Sequence, residues 1–228
     1  MNTLAPYIRR APLISTLPVE LQTDLERAGE ERSYRRRQIV FMADQLNDYV
    51  YLLSSGRVKL VRVSPTGREI TLYIVNPMEF FGEAHLFDDN VSYDMTAEVL
   101  EDADVVVFRR TEIVEALTRS PESMRELTIL QANRRAQAEN RLTEYVFYDV
   151  PTRVARLLTR LSSTHGRYSK GGSLIRLKLT HQEIANLIGS TRETTTLILN
   201  DFRRRGLIEL QGRRIVVSDS AGLRDLAH

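Results

Sequence analysis

Two short segments of this chain hold residue types that can read a nucleic acid. Thr180-His181-Gln182-Glu183 begins with a Thr at the N-cap and a Glu three residues on, the pattern of a capping box. Ser190-Thr191-Arg192-Glu193 opens a second helix, and Gly189 stands between the two. Two capped helices joined by a turn containing Gly make a helix-turn-helix, whose second helix enters the major groove by its N-terminal end. That end presents Arg192 and Glu193. A guanidinium can fork to O6 and N7 of guanine, and a carboxylate can accept from N4 of cytosine; each contact is worth about 1–3 kcal/mol of discrimination. Thr180, His181, Gln182 and Thr191, with the helix N-termini, are placed to hold phosphate and set register. Thr195, Thr196 and Leu197 continue the DNA-facing set, and Arg203 and Arg213, with Arg204, Arg205 and Arg214, can add phosphate contacts. The competing readings are structural: Glu193 as the N3 member of a Ser190 capping box, and the arginine run as a solvated helix end.

Such a reader needs a scaffold. Ala185 falls four residues before Gly189, where two crossing helices need a small side chain, and Ile184, Leu187, Ile188, Ile198 and Leu199 form the seam. The first helix runs Gln182 to Ile188 and the second to about Arg205, with Gly206 as the C′ glycine. Leu207–Leu210 and Arg214–Val217 read as a hairpin around Gln211-Gly212-Arg213, a wing. Upstream, Pro151 to Leu161 is a helix burying Val154, Leu157, Leu158 and Leu161. His165-Gly166 and Lys170–Ser173 read as loop, and Leu174–Leu179 as a strand. Asp149-Val150-Pro151 breaks the preceding helix, because a residue before Pro is driven out of the helical region.

The N-terminal part has a different period. Arg37–Met42, Tyr49–Leu53, Arg57–Val63, Glu69–Val75, Thr96–Val99 and Asp104–Arg109 are short runs rich in Val, Ile and Tyr, punctuated by Ser54-Ser55-Gly56, Ser64–Gly67 and Asn76-Pro77. They predict an antiparallel sandwich or roll. Thr111–Arg119 follows as a short helix. Ser120-Pro121 then opens a helix that runs without Gly or Pro to Tyr148. Leu127, Gln131, Arg134, Ala138, Leu142 and Tyr145 share one stripe of it and are read as a dimer interface, since a helix this long must be buried by something. The expected domains are therefore 1–119, a roll; 120–148, a dimerisation helix; and 149–228, a DNA-binding domain.

The charge agrees with that division. Val150–His228 carries 14 Lys and Arg against 6 Asp and Glu, whereas Met1–Asp149 carries 18 against 24. A basic end on an acidic body is what a chain presents when one end meets a polyanion. Cysteine is absent, which excludes disulfides, thiolate metal sites and a cysteine nucleophile. His85, His165, His181 and His228 are scattered without ligand spacing, so a metal-dependent enzyme on the roll is not expected. No run approaches the roughly 18 apolar residues that cross a bilayer, and Met1–Arg10 does not read as a secretory signal. A cytoplasmic protein with no membrane partner is expected.

The segment LTHQEIANLIGSTRETTTLILNDFRRRGLIELQGRRIVV resembles the winged helix-turn-helix of the Crp/Fnr superfamily of transcription factors. DYVYLLSSGRVKLVRVSPTGREITLYIVNPMEFFGEAHLF resembles that family's cyclic-nucleotide-binding β-roll, and FYDVPTRVARLL its hinge. The resemblance implies an α+β fold: an antiparallel β-roll (a double-stranded β-helix), a long dimerisation helix and a C-terminal winged helix. It implies a homodimer on palindromic promoter sites in double-stranded DNA, touching RNA polymerase. It also exposes departures. The family's Arg-Ser pair for a cyclic phosphate falls at Tyr93-Asp94, and its adenine-contacting Thr-Ser pair at Ala138-Glu139. An acid facing an anion costs several kcal/mol. Gly82 and Glu83 remain of the effector site; the preferred reading is a retained turn and an internal ion pair, against a ribose contact. No cofactor is expected, and no cyclic AMP of the usual kind. The alternative is a ligand-gated regulator whose roll takes cyclic AMP, another nucleotide, or haem at His85. The third base-reading position, Arg in the family, is Leu197 here, which points to reading that is either relaxed at that base pair or changed toward a thymine methyl contact.

Overall fold

The computed structural model describes residues 5–88, 92–169 and 171–227. By its contacts the chain divides into two compact units, Met1–Gln137 and Ala138–His228.

The first unit opens with three helices, α1 (Ala5–Ile8), α2 (Pro12–Ser15) and α3 (Val19–Ala28). The roll follows: β1 (Glu30–Tyr34), β2 (Ile39–Phe41), β3 (Tyr49–Val63), β4 (Glu69–Val75), β5 (Phe80–Phe81) and β6 (Thr96–Arg109). All pairings are antiparallel; the sheet runs β1-β6-β3-β4, with β2 added on β6 and β5 on β3. Two pairs of expected strands fuse. Ser54-Ser55-Gly56 does not end a strand; it is absorbed as bulges in β3, where the register against β6 shifts between Leu53 and Val58. Gly56 makes this possible: its φ is +80°, and a Cβ there would lie 2.1 Å from the Asp102 carbonyl oxygen. The strand expected at 96–99 likewise continues through to Arg109 as β6.

Two cores hold the unit. One lies inside the roll, among Leu53, Val58, Leu60, Val75, Phe81, Val99 and Val105. The other lies under the helices, where Ile8, Ile14, Leu21 and Leu25 meet Val50, Leu52, Val106 and Phe108. α4 (Arg110–Thr118) adds Ile113 and Leu117 to it. α5 (Pro121–Phe147) starts under Ser120, whose hydroxyl accepts from the Ser123 amide at 3.2 Å, and puts Leu127 into the same core.

The second unit holds the end of α5 and then α6 (Val150–His165), which begins one residue before the expected Pro151 and runs four past Leu161. Asp149 caps it, accepting from the Thr152 amide at 2.9 Å, so Pro151 sits in the first turn, where its missing N–H costs nothing. The segment read as loop after His165 is a hairpin, β7 (Gly166–Ser169) against β8 (Gly172–Ile175). Lys170 lies outside the described residues. The strand stops at Ile175; Leu177 and Leu179 are buried without continuing it. α7 (His181–Ile188) and α8 (Arg192–Arg204) follow, then β9 (Ile208–Gln211) and β10 (Arg214–Val217), forming a sheet in the order β7-β8-β10-β9. α9 (Ser220–Asp225) closes the described chain.

Candidate DNA interface

The two helices of the reader are built by their caps. At α7 the Thr180 hydroxyl accepts from the Glu183 amide at 3.2 Å, and Glu183 Oε2 accepts from the Thr180 amide at 2.6 Å. Gly189 ends α7 in the left-handed region, φ +63°, and its N–H donates to the Ala185 carbonyl. Ile184, Ala185, Leu187, Ile188 and Leu199 are buried in the seam. Phe202, one turn beyond Leu199 and also buried, completes it; it follows from the same helical step and went unassigned in the sequence.

The cap of α8 is Thr191, not Ser190. Its hydroxyl accepts from the Thr194 amide at 3.2 Å, so Thr194 holds the N3 place and Glu193 is not the closing member of a capping box. Thr191, Arg192 and Glu193 are all exposed at the free end of α8, and Leu197, one turn on, is 72% exposed. An apolar side chain that open, beside an Arg and a Glu, is unused by the fold.

One residue of the expected DNA-facing set is misplaced. Thr195 is fully buried and its hydroxyl donates to the Thr191 carbonyl at 2.8 Å, so it belongs to the seam. Thr196 is half-buried; its hydroxyl donates to the Arg192 carbonyl and lies 2.8 Å from His181 Nδ1. Burial, and then the Arg192 cation, hold the His181 imidazole below its ordinary pKa. Gln182 is exposed and donates to Asn186 Oδ1 at 2.7 Å. Arg203 is exposed at the far end of α8, and Arg213 and Arg214 at the tip of the wing. Arg204 and Arg205 both lean on Asp201, at 3.1 and 3.7 Å.

The effector-like residues of the roll are each engaged by other residues of the same unit. Glu83, 3% exposed, lies 2.9 Å from Arg134 Nε. Burial pushes the Glu83 carboxyl above its ordinary range, and the Arg134 charge opposes that. Arg134 also donates to the Phe80 carbonyl at 2.7 Å and lies over the Tyr73 ring. Tyr93 is buried, stacks on Phe41 with centroids 3.9 Å apart, and donates to the Tyr49 carbonyl at 2.7 Å. Asp94 pairs with Arg62 at 2.7 Å. The recess bounded by Gly82, Glu83, Tyr93, Asp94 and Arg134 is a cavity of about 20 Å³, room for one water. His85 lies 3.1 Å from Asp88. Ala138 and Glu139 fall in the second unit, half-buried and exposed respectively.

The stripe read on α5 as a dimer face is a real stripe, but it mostly faces its own chain. Leu127 is in the core of the first unit, Gln131 donates to the Glu83 carbonyl, and Arg134 is held as above. Tyr145 packs against Gly189 in the second unit. Leu142 remains 64% exposed, at the margin. The outward face steps through Ile129, Ala132, Ala136, Asn140, Thr143 and Phe147, all exposed.

Two family models match. Residues 31–120 match the cyclic nucleotide-binding domain, and residues 152–226 the Crp-like helix-turn-helix domain. Among curated relatives, a CRP-like cAMP-activated global transcriptional regulator of Mycobacterium tuberculosis is 34% identical over 190 residues, covering 83% of this chain and 84% of that protein. A global nitrogen regulator of Synechococcus elongatus is 32% identical, covering 83% and 86%. A CRP-family transcriptional regulator of Thermus thermophilus superposes with a TM-score of 0.72 at 28% identity, covering 86% of this chain and 96% of that one.

Proposed function

Because the chain belongs to the Crp/Fnr family of DNA-binding transcription regulators, we propose that it binds palindromic promoter sites as a cytoplasmic homodimer, without cyclic AMP, and there meets RNA polymerase. The observation that carries DNA reading is the free end of α8: Arg192 and Glu193 are exposed, and the cap is supplied by Thr191 alone. Arg192 forks to guanine, Glu193 accepts from cytosine, and Leu197 reaches a thymine methyl. Arg203 and Arg213 add phosphate charge. The outward stripe of α5, from Ile129 to Phe147, supports pairing of two copies, since its apolar and small residues Ile129, Ala132, Ala136 and Phe147 are exposed.

Independence from cyclic AMP is supported by chemistry and by space. Asp94 stands where the family holds a phosphate, Glu83 is bound to Arg134, and the recess that Tyr93 lines has room for about one water. No helix among the described residues is long and apolar enough to cross a membrane. The test is a gel shift with a duplex carrying two TGTGA-like half-sites, with and without cyclic AMP. Tight binding that weakens steeply with salt is expected. Failure to bind any duplex at low salt would overturn the reading.

A further inference from the structure

The last turns of α5 do not stand apart from the reader. From Ala138 onward they belong to the same compact unit as α7 and α8. Arg141 Nη1 donates to the Leu187 carbonyl at 3.0 Å. That carbonyl lies in the final turn of α7, where carbonyls run out of helical donors and a cation is favoured. One turn along α5, Tyr145 lies against the turn itself: a Cβ on Gly189 would come 2.9 Å from the ring. Arg153 of α6 stands over that ring, 5.2 Å from its centre. Between the two, Glu144 pairs with Arg156 and Arg160 of α6, at 3.3 and 3.2 Å. The end of α5 is thus fastened to α6 by a carboxylate and to the turn of the reader by a guanidinium and a ring.

The turn transmits whatever is done to it. Gly189 and Ser190 both donate to the Ala185 carbonyl, and Thr191 starts the cap of α8 in the next residue. Moving Gly189 therefore moves Arg192 and Glu193.

From this arrangement we infer that Arg141 and Tyr145 are positioning residues for DNA reading: they lock the helix-turn-helix to the end of α5, so the helix that pairs two copies also sets the spacing of the two recognition helices. The inference rests on the homodimer reading above. It predicts a loss of spacing discrimination and not of base contacts. Half-sites one duplex turn apart, about 34 Å, must be met by two heads held at that distance.

The experiment uses the full chain with three duplexes: the palindrome, the palindrome with its half-sites moved apart by two base pairs, and a single half-site. The variants are Arg141→Gln, Tyr145→Ala and Arg141→Lys, each checked by thermal unfolding. Arg141→Gln and Tyr145→Ala should bind the correctly spaced palindrome about 10- to 100-fold more weakly, as the two heads lose their joint geometry. Their binding to the single half-site should match wild type, and their preference for the correct spacing should shrink. Arg141→Lys, which keeps the cation at the last turn of α7 as well as a donor, should recover part of the loss. Wild-type spacing preference in both variants would overturn the inference. So would a proportional loss on all three duplexes, or unfolding of both variants, because either makes the pair general supports of the domain. Should only Tyr145→Ala unfold, the Arg141 variants decide. A wild-type protein that ignores every duplex would sink the DNA-binding reading instead.

Discussion

Glu83 and Arg134 face each other at 2.9 Å with both side chains nearly removed from water. The carboxylate comes from the turn after β5, and the guanidinium from the middle of α5. Each has lost its hydration, so each depends on the other's charge. Removing one partner leaves a buried ion alone, which costs about 3–5 kcal/mol. Glu83→Gln and Arg134→Met should each lower stability by that order in urea unfolding. The double variant should lose clearly less than the sum, since neither charge is then stranded.

Cyclic AMP should find no site in the roll. Titration calorimetry is expected to give no saturable heat, and the DNA affinity should be the same with and without the nucleotide. A micromolar site would show that Tyr93 and Arg62 move aside, and that the Asp94 argument is wrong.

Arg192→Ala should weaken binding to the palindrome by about 1–3 kcal/mol per half-site and relax selection at the guanine it reads. Arg203→Ala, a phosphate contact, should weaken all duplexes alike and flatten the salt dependence. A gel-shift series over salt and single-base variants separates the two. Equal affinity of Arg192→Ala and wild type would remove the main support for α8 as the reader.

The two faces of α5 should respond differently. Ala136→Glu puts a charge on the outward stripe, and is expected to give monomers by sedimentation while leaving the melting temperature of each unit nearly unchanged. Leu127→Ala empties core space and should cost about 2–5 kcal/mol of stability without changing association below the unfolding transition. Monomers from Leu127→Ala and dimers from Ala136→Glu would restore the face first read from the sequence.

Asp149 makes a pH-dependent contribution with a definite sign. The Thr152 amide holds its carboxyl below the usual Asp range, so folding favours the ionised form. The stabilisation is whole above the ordinary Asp pKa and disappears as pH falls through the lowered folded value. Asp149→Ala should lose about 1 kcal/mol at neutral pH, the usual worth of an N-cap. Asp149→Asn keeps an acceptor at the cap and should remove that part of the acid dependence, seen as a smaller drop in stability between neutral and acid pH.

Some of this is legible in the sequence. The two caps, the glycine between them and the exposed Arg192-Glu193 tip are local patterns, set by residues within four positions of one another. The internal ion pair of Glu83 was anticipated, though its partner was not: Arg134 is far off in the chain and had been read as an interface residue. The helices before β1 gave little signal, because α1 and α2 are only four residues long and their buried residues, Ile8, Leu13 and Ile14, belong to a core completed by distant residues such as Val50, Phe108 and Leu117. Ser190 and Thr191 are equally good capping types; only the backbone decides which one sits at the cap, and the choice of Thr191 frees Glu193.

The residue order by itself determined what the reading tip is made of and that Leu127, Arg134 and Tyr145 share a helix face, since helical periodicity is a property of the chain alone. Which way that face looks is a matter of what else folds beside it, and only the tertiary structure decided it: Leu127 found a core, Arg134 a buried carboxylate and Tyr145 a bare glycine. The same holds for β3, where a serine-serine-glycine run that looks like a turn stays in the sheet because β6 lies close enough to bond across it.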